Sequence, residues 1–169
     1  LSFTLANCYT DCIIKYESLK KSGTNCDFKL LFEGKRKVSF EQKLNKFFKR
    51  IVDYCPYLLD LKLTIETKNS FPHSSGIASS ASAYSALSLC IMDIEKKINP
   101  KISSEFFFKK ASFLSRLGSG SASRSILGPL AIWGKNDFFK NSSDLYAIKY
   151  LDEIHSSFKN IQDTILLVD

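Results

Sequence analysis

The stretch "NSFPHSSGIASSASAYSALSLCIM", Asn69 to Met92, gathers hydroxyls around Gly76 and runs on into an apolar, alanine-rich segment. It holds no Asp, Glu, Lys or Arg, in a chain of which 24% is charged. Pro72, the serines and Gly76 stand between a strand-patterned and a helix-patterned segment. A helix N-terminus carries unpaired N–H groups and the positive end of the dipole, so a loop placed there suits phosphate oxygens. Glycine at 76 lets a ligand approach the backbone. Ser79 and Ser80 stand where hydroxyls can cap the helix and reach a phosphate or its magnesium ion. This is not the Walker pattern, which needs G-K-[ST] at the helix start. The bland alternative is a serine-capped, buried helix without a ligand, and the loop alone does not decide.

A second stretch, "GSGSASRS", alternates Ser119, Ser121, Ser123 and Ser125 with Gly120, Ala122 and Arg124. Small residues leave room against the backbone, hydroxyls donate at short range, and one Arg can grip a carboxylate or phosphate with two parallel bonds. Its bland alternative is a surface turn with a solvated Arg. Two anion-suited loops in one small domain favour a nucleotide and an acidic substrate held together.

Other reactive residues carry less. Cys8, Cys12, Cys26, Cys55 and Cys90 are odd in number and scattered, without a C-x-x-C pair, which reads as reduced thiols of a cytoplasmic protein. Zinc is disfavoured, because neither His73 nor His155 stands at ligand spacing from a cysteine pair. His73 can face a ligand or merely be exposed; His155 lies in a polar loop. The net charge of +7 concentrates in Lys35-Arg36-Lys37 and in the row Lys43, Lys46, Arg50. We read these as a basic hairpin tip and a solvated helix face. No stacking-aromatic strand motif supports nucleic acid, and no apolar run suggests a membrane span.

The elements that must position these loops follow from periodicity. Thr10, Cys12, Ile14 and Tyr16 share one face of an extended segment, and Glu33-Gly34 in "FKLLFEGKRKV" marks a hairpin turn. From Phe40 the period becomes helical through Leu44, Phe47, Phe48, Ile51, Val52 and Cys55, with Pro56 as the stop. "LDLKLTIETK" is a strand with Leu59, Leu61, Leu63 and Ile65 inward. Ala83, Leu87, Ile91, Ile94 and Ile98 stripe a helix that Pro100 closes. A further helix opens at Ser103 or Ser104, with Glu105 in its first turn. It buries Phe107, Ala111 and Leu114 and stops at Gly118. Strands are expected around "PLAIWGK", "YAIKYL" and "TILLVD". Together these give an α+β or α/β layered domain. The first residues lack the basic stretch of a signal peptide. The chain reads as cut at both ends, so a fragment is expected.

The two loops together resemble a known family. "FPHSSGIASSASAYSAL" is similar to the phosphate loop of the GHMP small-molecule kinases, in its Pro-x3-Gly-x2-Ser-Ser-Ala form. "RLGSGSASRSILG…IW" resembles the companion motif of the diphosphomevalonate decarboxylases, and "LSFTL…YT" is similar to their early strand. The resemblance implies an α+β fold with a left-handed β-α-β unit and a mixed sheet packed on helices. Residues 1–169 would then be part of the N-terminal nucleotide-binding domain, without its extreme N-terminal strand and without the C-terminal domain. It further implies that Ser74, Ser75, Gly76, Ile77, Ala78, Ser79 and Ser80 hold ATP with Mg2+. Ser119, Gly120, Ser121 and Arg124 would line the mevalonate diphosphate site, with Arg124 near the carboxylate that is lost. No residue here is assigned as a metal ligand. The implied reaction phosphorylates a tertiary hydroxyl, then expels phosphate and carbon dioxide to leave isopentenyl diphosphate. The catalytic aspartate falls in a later segment, so the fragment alone is expected to be inactive. Pro129 stands where the family usually has a second glycine. A homodimer is the implied assembly.

Two alternatives stay open at this point. One is a GHMP-type kinase acting on mevalonate or a related acid without decarboxylation, disfavoured by an Arg124 suited to a carboxylate. The other is a basic, non-catalytic module, which would bind nucleic acid with steep salt dependence and ignore ATP.

Overall fold

The computed structural model describes residues 1–72 and 76–165. The elements run β1 (Ser2–Phe3), β2 (Thr10–Ser18), β3 (Asp27–Phe32), β4 (Lys35–Arg36), α1 (Val38–Ile51), β5 (Leu61–Asn69), α2 (Ser79–Ile98), α3 (Ser104–Gly118), β6 (Leu130–Trp133) and β7 (Ala147–Lys149). Short 3₁₀ helices lie at Pro56–Asp60, Gly120–Ser125 and Ser156–Phe158.

One sheet has the order β2-β5-β3-β4, with β2 antiparallel and β3 parallel to β5. A parallel pair needs a crossover, and α1 supplies it between β3 and β5, giving a β-α-β unit. The β3–β4 hairpin turns on Glu33 and Gly34, both at positive φ (51° and 75°). That is the mirror-image two-residue turn whose twist matches paired strands. β1, β6 and β7 form a second, antiparallel sheet. The expected mixed sheet packed on helices is therefore present.

The core joins Leu30, Leu63 and Ile65 from the first sheet to Phe47, Phe48 and Ile51 of α1, Ile91 of α2 and Leu114 of α3. Burying side chains of this size contributes about 1.5–3 kcal/mol each, and the helices are held chiefly by this shared face. Ser103 caps α3, its hydroxyl accepting from the Phe106 amide at 3.2 Å.

Several expectations are corrected. α1 ends at Ile51, five residues before Pro56; Pro56 instead starts a 3₁₀ helix, a position where its missing N–H costs nothing. Cys55 is fully buried, but by the turn after α1 rather than by the helix. The same 3₁₀ helix shifts the inward leucine before β5 to Leu58, leaving Leu59 half-buried. In α2 the stripe frays at its end, where Ile98 is exposed, and Ala83 is only half-buried; Ala81, Ser85, Ser88 and Met92 are buried too, because α2 packs on more than one neighbour. Thr164 and Ile165 form no strand, and the rest of the expected "TILLVD" strand lies outside the described residues.

Among the described residues no helix is long and apolar enough to cross a membrane.

Candidate functional site

α2 begins directly after the serine-rich loop. Gly76 has φ 79°, in the left-handed region that favours glycine, and among the described residues an added Cβ would meet no atom within 4 Å. The described residues thus leave this backbone uncovered. Ala78 also adopts the left-handed conformation (φ 50°) as the residue preceding the helix. Holding a non-glycine residue there costs about 1–3 kcal/mol.

Ser79 and Ser80 do not cap the helix as expected. They are its first two residues, the cap position belongs to Ala78, and Ala78 itself makes no side-chain cap hydrogen bond. The absence of any acidic residue from the first turn removes the charge that would repel an anion. Gly76 and Ser80 are exposed, and Ile77 and Ser79 half-buried. His73, Ser74 and Ser75 lie outside the described residues.

The second stretch is a 3₁₀ helix rather than an open loop. Its inward residues anchor it. Ser112 Oγ donates to Ser123 O at 2.8 Å while accepting from the Ala147 amide at 2.8 Å. Ser85 Oγ lies 2.7 Å from Ala81 O and 2.8 Å from Ala122 O, its one proton shared between α2 and the 3₁₀ helix. Ser123 is buried and donates back to Gly120 O. With these turned inward, Ser119, Gly120, Ser121 and Arg124 remain on the accessible side, half-buried or exposed.

The two stretches meet. Ser80 Oγ lies 3.5 Å from Ser119 Oγ, across 39 residues of sequence. Gly118 makes this approach possible. It is the last residue of α3, as expected, yet its conformation is not left-handed; a Cβ there would overlap the ring of Tyr84 on α2. Close packing, rather than a turn, is what needs a glycine here.

Arg124 is held from two sides. Its Nη1 donates to Ser2 Oγ at 2.8 Å, and its guanidinium carbon sits 5.9 Å from the centroid of the Trp133 ring. Neither partner was named from the sequence. A lone serine near the start of the chain carries no signal, although Trp133 does lie in the "IW" of the second motif.

Behind Ser79 and Ser80 opens an apolar cleft of about 150 Å³, walled by Cys12, Phe32, Phe40, Leu87 and Tyr84, with Lys43, Thr67 and Asn69 supplying polar edges. Sequence reasoning missed this cleft, since its walls come from β2, β3, β5, α1 and α2. Lys43, read as part of a solvated face, reaches its rim. Arg50, from the same row, donates to Leu117 O at 2.8 Å and so braces the end of α3. Burial raises the Tyr84 phenol, keeping the ring neutral in the cleft wall. All five cysteines are free thiols.

Comparison with known proteins follows the same division of the chain. The family model described as "Diphosphomevalonate decarboxylase-like N-terminal domain" matches residues 1–146. The diphosphomevalonate decarboxylase of Candida albicans is 38% identical over 78 residues, which are 46% of this chain and 20% of that protein. The mevalonate diphosphate decarboxylase of Staphylococcus aureus superposes with a TM-score of 0.63 at 29% identity, covering 87% of this chain and 40% of that one. A structure described as showing the mevalonate diphosphate mediated ATP binding mechanism of the Enterococcus faecalis decarboxylase gives a TM-score of 0.64 at 26% identity, covering 88% of this chain and 41% of that one. The chain thus spans well under half the length of these relatives.

Proposed function

Because the chain belongs to the diphosphomevalonate decarboxylase-like N-terminal domain family, we propose that it serves ATP-dependent decarboxylation of mevalonate diphosphate to isopentenyl diphosphate. It would contribute the phosphate-binding face and part of the substrate site. The observation that carries this reading is the 3.5 Å approach of Ser80 to Ser119, which makes one surface of the two anion-suited stretches.

On that surface the α2 N-terminus, with Gly76, Ile77, Ala78, Ser79 and Ser80, would hold the ATP phosphates and their Mg2+. Ser74 and Ser75 are proposed with them from the motif alone. The left-handed backbone at Gly76 and a first helical turn without acidic residues fit such a group. The apolar cleft behind them, edged by Thr67 and Asn69, fits the flat base of a nucleotide. Ser119, Gly120, Ser121 and Arg124 would hold the substrate, with the guanidinium aimed at the carboxylate that leaves. ATP supplies the phosphoryl group. The chain's own residues orient both partners and stabilise developing negative charge with fixed dipoles, which lowers the barrier without reorganisation. No aspartate of these residues is proposed as the group that would move the proton. We place the protein in the cytoplasm, in keeping with its free thiols, and propose a homodimer, which sedimentation of the full-length protein would show.

Calorimetry of the full-length protein with mevalonate diphosphate and MgATP, beside carbon dioxide release, tests the proposal. Binding and gas release with wild type, both lost in Arg124→Ala, are expected. Phosphorylated product without carbon dioxide would favour the kinase reading. Intact affinity and turnover in Arg124→Ala would overturn the assignment of the second stretch.

A further inference from the structure

Cys12 and Cys90 face one another where α2 packs on β2. The Cys90 thiol donates to the carbonyl oxygen of Cys12 at 3.3 Å. Cys12 occupies an inward position of β2 and forms part of the cleft wall behind Ser79 and Ser80. Both side chains are half-buried, so a small oxidant can reach them while neither is free to swing into bulk solvent.

The thiols also differ in character. The Cys12 S–H bonds to the Cys90 sulfur, which holds Cys90 below the ordinary thiol range against the opposing effects of burial and of Asp93. The same bond, with burial, pushes Cys12 up. A thiol that gives up its proton more readily, beside one that keeps it, is the arrangement of an attacking and a resolving cysteine. Cys26 and Cys55 make a contrast, both pushed up to about 11, with burial as the main cause.

We propose that Cys12 and Cys90 are a redox-active pair, converted by a hydroperoxide into a disulfide that joins β2 to α2 at the cleft wall. The Cys90 thiolate attacks the peroxide O–O bond. One oxygen stays on sulfur as a sulfenic acid and the other leaves as water or an alcohol, taking up a proton. Cys12 sulfur then attacks Cys90 sulfur; the S–S bond forms, the S–O bond breaks, and hydroxide leaves as water with the Cys12 proton. The peroxide is reduced by two electrons and the thiol pair oxidised by two, and a dithiol reverses the change. In the disulfide the Cys12 sulfur is drawn to α2, which alters the wall on the side where a nucleotide would lie.

The full-length protein treated with hydrogen peroxide, alkylated and mapped by peptide mass spectrometry tests this. We expect a cross-linked peptide joining Cys12 to Cys90, with loss of alkylation at both positions together. Dithiothreitol should reverse the link, and Cys26 and Cys55 should stay alkylatable. In Cys12→Ser, Cys90 should accumulate as a sulfenic acid trapped by dimedone. Continued alkylation of both cysteines, over-oxidation of Cys90 with Cys12 free, or a link from either to Cys8 would each overturn the proposal. MgATP binding to the reduced protein is read separately: its absence would sink the proposed function and leave the thiol chemistry standing.

Discussion

Gly118, closing α3, lies against the face of Tyr84 on α2 so tightly that a methyl group at 118 would overlap ring carbons Cδ1 and Cγ. The Tyr84 ring is itself backed by Phe47 of α1 at 4.9 Å between centroids, so it has little room to retreat. This contact sets how near the end of α3, and hence Ser119, comes to the start of α2.

Gly118→Ala should therefore overpack the junction, costing about 1–3 kcal/mol of stability. Denaturant unfolding reads the loss. A variant as stable as wild type would mean that Tyr84 moves aside freely, and the distance between the two stretches would then need another cause.

Two buried serines should behave oppositely. Ser112 Oγ serves both the Ser123 carbonyl and the Ala147 amide, so Ser112→Ala strands two buried groups, at about 1–3 kcal/mol for each. Ser88 Oγ is buried without a hydrogen-bond partner among the described residues. Removing it relieves an unsatisfied group, so Ser88→Ala should be neutral or stabilising. Equal losses in thermal unfolding would show that the hydrogen bonds of Ser112 are not what ties the second stretch to α3 and β7.

Arg124 and Ser2 should be separable. Arg124→Ala removes a charged group, and a hydrogen bond to a charge is worth about 1.5–3 kcal/mol, or about ten- to a hundredfold in affinity. Ser2→Ala leaves the charge in place and removes only a contact that orients it, so a smaller loss of mevalonate diphosphate affinity is expected. Arg124→Lys should restore charge but not the forked geometry. Calorimetry on the full-length protein decides, and full recovery with Lys would reduce Arg124 to a point charge.

Cys26 and Cys55 predict a decline in stability at alkaline pH. Each is raised to about 11 in the fold, with burial as the main cause, against about 8.5 for a free thiol. The unfolded chain therefore releases these protons first. The stability they support is complete below about pH 8.5 and is lost as pH rises through about 11. A Cys26→Ala, Cys55→Ala double variant should show a flatter fall across that window by urea titration. An unchanged slope would assign the decline to other groups.

The periodic elements were legible because their signal is local. Leu44, Phe47, Phe48 and Ile51 recur at the helix repeat and are buried, and Glu33-Gly34 turns the β3–β4 hairpin as read. The end of α1 was not legible. A proline predicts where a helix cannot continue, whereas the chain left the helix earlier, at Ile51, and used Pro56 to begin a 3₁₀ helix. The candidate stretches were visible as composition, yet their geometry was not: Ser79 and Ser80 turned out to be inside α2, with Ala78 in the capping position.

What the sequence by itself determined was the order of elements, the burial stripes, the two serine-rich stretches and the family to which they point, because spacing and residue type are properties of neighbours along the chain. What only the tertiary structure decided was which serines face inward, that Ser80 meets Ser119, that Arg124 leans on Ser2 and Trp133, and that a cleft opens behind α2. Apart from Arg124 on Trp133, those relations join residues dozens of positions apart, and they are fixed by close packing such as Tyr84 on Gly118, which leaves no periodic trace in the chain.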